Sequence, residues 1–149
     1  MNRIANWKTT VAVLAGCVLT LVASSPAGAC PAKPRYHAYA LGGYTRGGPI
    51  WTYLGSYDTA RDAETVGKLA GNHWGGPGPY YRIVKGTALA LPAEKHTKLV
   101  LYRFQGPLGS TGQTRKEQVG EFRTRAGAAA AAERIVAAGD RFEALYWEF

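Results

Sequence analysis

Leu54-Gly55-Ser56-Tyr57-Asp58-Thr59 and Val119-Gly120-Glu121-Phe122-Arg123-Thr124 align at an offset of 65 residues, with apolar, glycine, aromatic and threonine positions matched. At the same offset Ala63 falls on Ala128, and Tyr80-Tyr81 falls on Leu145-Tyr146. Two residues off that register, Tyr39 and Leu41 match Tyr102 and Phe104. Internal self-similarity sets the unit of a fold, because each copy is one supersecondary element that buries its apolar face against its neighbours. Each unit here reads strand, strand, helix, strand.

The first unit, residues 36–86, opens with alternating aromatic and small residues at 36–41. Gly42-Gly43 and Gly47-Gly48-Pro49 are turn signals. A second strand is expected at 50–57, rich in β-branched and aromatic residues. Thr59 and Asp62 form a capping pair by type, and Ala63, Val66, Leu69 and Ala70 follow at helical spacing. A third strand is expected at 80–84. The second unit, residues 99–149, repeats the order with strands at 99–104, 118–122 and 142–149. Its alanine-rich helix at 126–138 has strong intrinsic propensity and a C-cap at Gly139. A polar linker at 87–98 joins the units. The expected fold class is α+β: two tandem ββαβ repeats forming antiparallel sheet, as one sheet or two smaller ones side by side. Both helices are expected on one face, leaving aromatic and basic side chains on the other.

Residues 1–29 read as a signal peptide. Arg3 and Lys8 precede an apolar stretch of 15 residues, and Ala27-Gly28-Ala29 supplies a small-x-small cleavage site. The stretch is shorter than the ~20 apolar residues of a membrane-spanning helix. Leu14-Ala15-Gly16-Cys17 resembles a lipobox, but the apolar run continues past Cys17 where a lipoprotein carries a polar tether. Export to the extracellular space is therefore expected, without an integral membrane segment after cleavage.

Cleavage leaves 120 residues beginning at Cys30, with 16 basic and 10 acidic side chains. The excess is concentrated in residues 30–116, with 12 basic against 4 acidic groups. A basic exported chain meets wall polymers, lipid headgroups or acidic proteins, and nucleic acid is a poor match. Cys30 loses its only possible intrachain mate when Cys17 departs. A leftover thiol in an oxidising compartment suggests an intermolecular disulfide, a capped thiol or a reactive nucleophile. Residues 30–35, Cys30-Pro31-Ala32-Lys33-Pro34-Arg35, hold two prolines that favour an extended arm. Such an arm could lie along a partner's sheet edge and be locked there by a disulfide.

No constellation in the sequence reads as an active site. Ser56 and Ser110 lack a Gly-x-Ser-x-Gly setting, and His37, His73 and His96 show neither metal-ligand spacing nor a cysteine pair. Neither a metal nor a cofactor is expected. Binding features are stronger: Trp74 sits in a Gly- and Pro-rich loop at 71–79 that the second unit lacks, and Tyr44 and Arg46 lie in a glycine-flanked turn. Tryptophan, tyrosine and arginine dominate interaction hot spots.

Tyr53-Leu54-Gly55-Ser56-Tyr57 followed by Ala63 and Leu69, and Val119-Gly120-Glu121-Phe122 followed by Ala128, resemble the half-repeats of SPOR domains over 51–84 and 117–149. That resemblance implies helices packed on a sheet and binding of peptidoglycan glycan strands, with Trp51, Tyr53 and Tyr81 as stacking candidates. The chain departs from the family in its extra strands at 36–41 and 99–104 and its longer central connection. In overall design, a small exported protein with a Cys-Pro arm also resembles the adaptor subunits of bacterial umbrella toxin particles, which join a toxin to other secreted subunits. The expectation is a secreted, non-enzymatic adaptor whose partner-binding residues are Cys30, Pro31, Pro34, Arg35, Tyr44, Arg46 and Trp74. A wall-glycan binder and an inhibitor of an exported hydrolase are the alternatives.

Overall fold

The computed structural model describes residues 32–71, 80–105 and 115–148. The chain order is β1 (Arg35–Thr45), β2 (Gly48–Tyr57), α1 (Ala60–Gly71), β3 (Tyr81–Gly86), β4 (Lys98–Phe104), β5 (Lys116–Phe122), α2 (Arg125–Ala137) and β6 (Arg141–Trp147). The strands make one six-stranded sheet in the order β3-β1-β2-β6-β4-β5, and every neighbouring pair is antiparallel. The fold is therefore α+β, with a single sheet.

Local chemistry accounts for the helix starts. Thr59 Oγ1 accepts from the Asp62 amide at 3.1 Å and its hydroxyl donates to Asp62 Oδ2 at 2.7 Å. Thr124 Oγ1 accepts from the Gly127 amide at 3.2 Å. Each bond satisfies a donor that the first helical turn leaves without an intrahelical partner. Gly42-Gly43, expected to end the first strand, instead lie inside β1 at a register shift opposite β2, and the chain reverses at Arg46-Gly47. A side chain at Gly42 would crowd Thr52 Oγ1, and Gly43 adopts φ 149°, so glycine serves a bulge here and not a turn.

The expectation that both helices share one face is overturned. Residues opposite each other in an antiparallel pair point to the same face, and neighbours along a strand alternate. Register therefore places Tyr39, Leu41, Trp51, Tyr53, Leu99, Leu101, Phe142, Ala144 and Tyr146 on one side, the aromatic face. These residues pack into one core with Ala128, Ala131, Ala132 and Ile135 of α2. Helix α1 lies on the reverse face: Gly67 abuts the ring of Tyr81, and Tyr81 pairs with Ala40, which points away from Tyr39.

Connection handedness explains the outcome. α1 joins the parallel strands β2 and β3 across β1, and α2 joins the parallel strands β5 and β6 across β4. Both crossovers step the same way across the sheet, but β2 and β6 are antiparallel, so they run in opposite directions along it. Crossovers that share one hand must then lie on opposite faces.

The linker is not a free tether. Residues 89–93 lie on the aromatic face over the first three strands, with Leu91 and Pro92 buried. Tyr39 donates its hydroxyl to the Ala90 carbonyl at 2.7 Å, and Tyr146 donates to the Pro92 carbonyl at 2.9 Å. Burial pushes both phenols well above their ordinary range, so they remain protonated donors. Beneath this strap, Tyr53 stacks on Phe142 with centroids 4.9 Å apart, and Tyr39 meets Phe142 edge-on at 6.2 Å.

Candidate functional site

The β1–β2 hairpin tip carries the most exposed large apolar side chain among the described residues: Tyr44 is 74% exposed, and Arg46 beside it is exposed as well. The turn beneath them is braced. Thr45 Oγ1 donates to the Gly48 carbonyl at 3.1 Å and accepts from the Gly47 amide at 3.3 Å. Gly47 is buried against the ring of Trp147, and its carbonyl accepts from the Glu148 amide at 2.8 Å. Gly48 adopts φ 146°, and a side chain there would collide with the Tyr146 carbonyl. A phenol and a guanidinium thus project from backbone that is tied to β6, an arrangement that limits the ordering entropy a partner must offset.

Arg35 occupies the other end of the same strand. Its guanidinium donates to the Ser56 carbonyl at 3.1 Å and lies 3.5 Å from the Asp58 carboxylate. Arg35 and Tyr44 are the ends of an extended run, separated by roughly 30 Å at about 3.3 Å per residue. The sequence-predicted partner-binding residues therefore do not converge. Pro34 and Arg35, both exposed, mark one end, and Tyr44 and Arg46 mark the other. Cys30, Pro31 and Trp74 lie outside the described residues. The residues that bracket the Trp74 loop, Gly71 and Tyr80, sit against each other, and the Leu41 amide donates to the Tyr80 carbonyl at 2.8 Å. That contact is at the Tyr44 end of β1.

The glycan-stacking candidates are placed differently from expectation. Trp51 and Tyr53 are 3% and 6% exposed, and both belong to the core under the strap. Their rings are not open to a sugar in this fold. The Arg82 guanidinium lies 5.7 Å from the Trp51 ring, and the Trp51 indole N–H has no hydrogen-bond partner among the described residues. Tyr81 is half-buried against α1.

One feature escaped the sequence reading, and a second was expected only in outline, as an aromatic and basic face without named residues. His37, which shows no metal-ligand spacing in the sequence, is 4% exposed. Its Nε2 is 2.9 Å from the Ala88 carbonyl and its Nδ1 is 2.9 Å from Ser56 Oγ, so one imidazole links β2 to the strap. Burial holds it below the ordinary histidine value. The second feature is the reverse face of β4–β6, where no described helix packs. There Lys116 lies 4.5 Å from the Tyr102 ring and 5.3 Å from the Phe104 ring, and Arg141 lies 6.0 Å from Phe104. The alternation of 98, 100, 102 and 104 was its only sequence signal.

Among the described residues, no three His, Cys, Asp or Glu side chains converge as a metal set, and no helix is long and apolar enough to cross a membrane. Comparison with family models, curated proteins and solved structures gives no match.

Proposed function

We propose that the chain is a secreted, non-enzymatic adaptor that holds one partner at each end of its sheet. One end is marked by Arg35, which Cys30-Pro31 precede in the sequence, and the other by the Tyr44/Arg46 tip. The observation that carries this reading is the separation of Arg35 from Tyr44 along one strand. An adaptor needs two epitopes far enough apart that both partners fit at once. The tandem-repeat organisation belongs to the same reading. It is supported by caps at Thr59 and Thr124, by register shifts that skip Leu54 and Val119, and by strand order β3-β1-β2 beside β6-β4-β5.

The test is affinity purification from native culture medium with identification of co-purifying proteins, followed by variants. Tyr44→Ala with Arg46→Ala should weaken one partner by about tenfold or more, the scale of a hot-spot pair. Cys30→Ser should lower recovery of the other under non-reducing conditions. Wild-type recovery of both partners from both variants sinks the two-ended reading.

The alternative of a SPOR-like wall-glycan binder is favoured by the Tyr102/Phe104/Lys116 grid on the reverse face. Retention on purified peptidoglycan, abolished by Tyr102→Ala, would select it over the adaptor.

A further inference from the structure

The two outer strands of the sheet are built differently. β5 carries a register shift that skips Val119, and its charges are engaged within the chain. Lys116 meets Glu143 at 2.9 Å, Arg103 meets Glu117 at 2.6 Å, and Lys98 meets Glu121 at 3.1 Å. Bulges and charges of this kind blunt an edge against further pairing. β3 also carries charges, Arg82 and Lys85, but no bulge: it pairs with β1 over six consecutive positions without a shift and contains no proline. No described strand covers its outer side.

A groove of about 460 Å³ runs alongside β3, between the strand and the strap, lined by Arg82, Val84, Leu91, Pro92, Ala93 and Arg125 among others. Val84, Leu91 and Pro92 give it an apolar floor, and the two arginines give it positive sides. Arg82 is held in place by Glu94 at 3.7 Å while its side chain remains 56% exposed. On the reverse face of β3, Lys85 extends over the Tyr36 ring at 5.8 Å. Side chains of an added strand alternate between faces, so an occupant would meet positive charge on both. Of the nearby acids, Glu94 is engaged by Arg82 and Glu133 by the Leu89 amide at 3.1 Å.

We propose that the outer edge of β3 accepts an extended acidic peptide as a seventh strand, with one carboxylate seated between Arg82 and Arg125. Main-chain hydrogen bonds would supply affinity, and the basic, apolar-floored groove would select acidic over basic strands. This surface goes beyond the tip and arm of the adaptor reading and needs neither of them.

The test uses the full chain and a fluorescein-labelled peptide of alternating threonine and aspartate around a central valine, acetylated and amidated. Anisotropy reports binding, and amide hydrogen exchange reports its place. The expected result is slowed exchange in β3, binding that falls as salt rises, and at least about tenfold weaker binding to the Arg82→Gln/Arg125→Gln double variant. A peptide N-methylated along one edge should lose binding, which tests strand addition even if the double variant folds poorly. Equal binding of the lysine-for-aspartate peptide, protection in β5 instead of β3, or no binding at all overturns the proposal. Because the probe is synthetic, its failure leaves the Tyr44 and Cys30 tests standing.

Discussion

The half of the sheet built from β1, β2 and β3 and the half built from β4, β5 and β6 share connectivity but not packing. α2 presses Ala128, Ala131, Ala132 and Ile135 into the aromatic core. α1 lies outside that core and approaches the opposite face through Ala63, Gly67 and Gly71, small enough for backbone to meet the Tyr81 ring. At the 65-residue offset Gly67 corresponds to Ala132, a buried residue of α2, so one methyl group distinguishes the two positions. The first half is covered on both faces, by α1 and by the strap. The second half has a described helix on one face only. Like connectivity therefore sets where a helix starts and which strands it bridges. Which core it serves follows from the direction in which its crossover runs.

The largest effect that would break this comparison lies at the shared core. Phe142 is fully buried beneath Tyr39 and Tyr53, so Phe142→Ala should cost about 3–5 kcal/mol in chemical denaturation. A loss under about 1 kcal/mol would mean that the halves are stabilised separately and not through one aromatic core.

Gly67→Ala sharpens the contrast between the helices. A Cβ there would sit 2.7 Å from Tyr81 Cδ2, and overpacking of this kind costs about 1–3 kcal/mol despite alanine's better helix propensity. Thermal melts should show the loss. A stabilised variant would indicate that α1 stands farther from the sheet than its contacts require.

Acidity should act on the first half through His37, where the corresponding residue of the second half is Val100. Burial is the main cause of the lowered histidine value and Arg35 adds to it, while the Ala88 carbonyl and Glu133 oppose it. The unfolded chain takes up the proton first as pH falls. Stability from this group is thus complete above the ordinary value of 6.5 and is lost progressively below it. His37→Gln keeps polar atoms near Ser56 and Ala88 and should flatten that acid limb in denaturation midpoints measured from pH 7.5 to 4.5. An unchanged limb would place the titration elsewhere.

The caps should behave alike in both halves. Thr59→Ala and Thr124→Ala should each cost about 1 kcal/mol, since each removes one acceptor from a helix start. Smaller still is Leu69→Ala, expected within about 0.5 kcal/mol. Leu69 fits the helical spacing of the apolar stripe but is 67% exposed, because the buried side of α1 follows the small residues.

Six strands, two helices, their order and the Thr59 cap were legible because each depends on neighbours within a few positions: alternation, helical spacing, a threonine before a helix. The candidate site was legible only in part. Tyr44 and Arg46 stood out as large side chains in a glycine-flanked turn, and they are exposed. Trp51 and Tyr53 were stacking candidates only through the SPOR resemblance, and strand alternation says that two rings share a face but not what covers that face. Their cover is a strap whose buried anchors, Leu91 and Pro92, sit in a segment that reads as a polar linker. His37 was missed for the same reason, since its partners Ser56 and Ala88 are 19 and 51 residues away.

By itself the sequence determined the kind and order of the elements, since hydrophobic period and capping are local energies that each segment satisfies alone. The tertiary structure decided which face each helix covers and which aromatic rings are withdrawn from solvent. Those outcomes follow from the antiparallel meeting of β2 and β6 and from the course of the strap. Both depend on long-range pairings that no local pattern encodes.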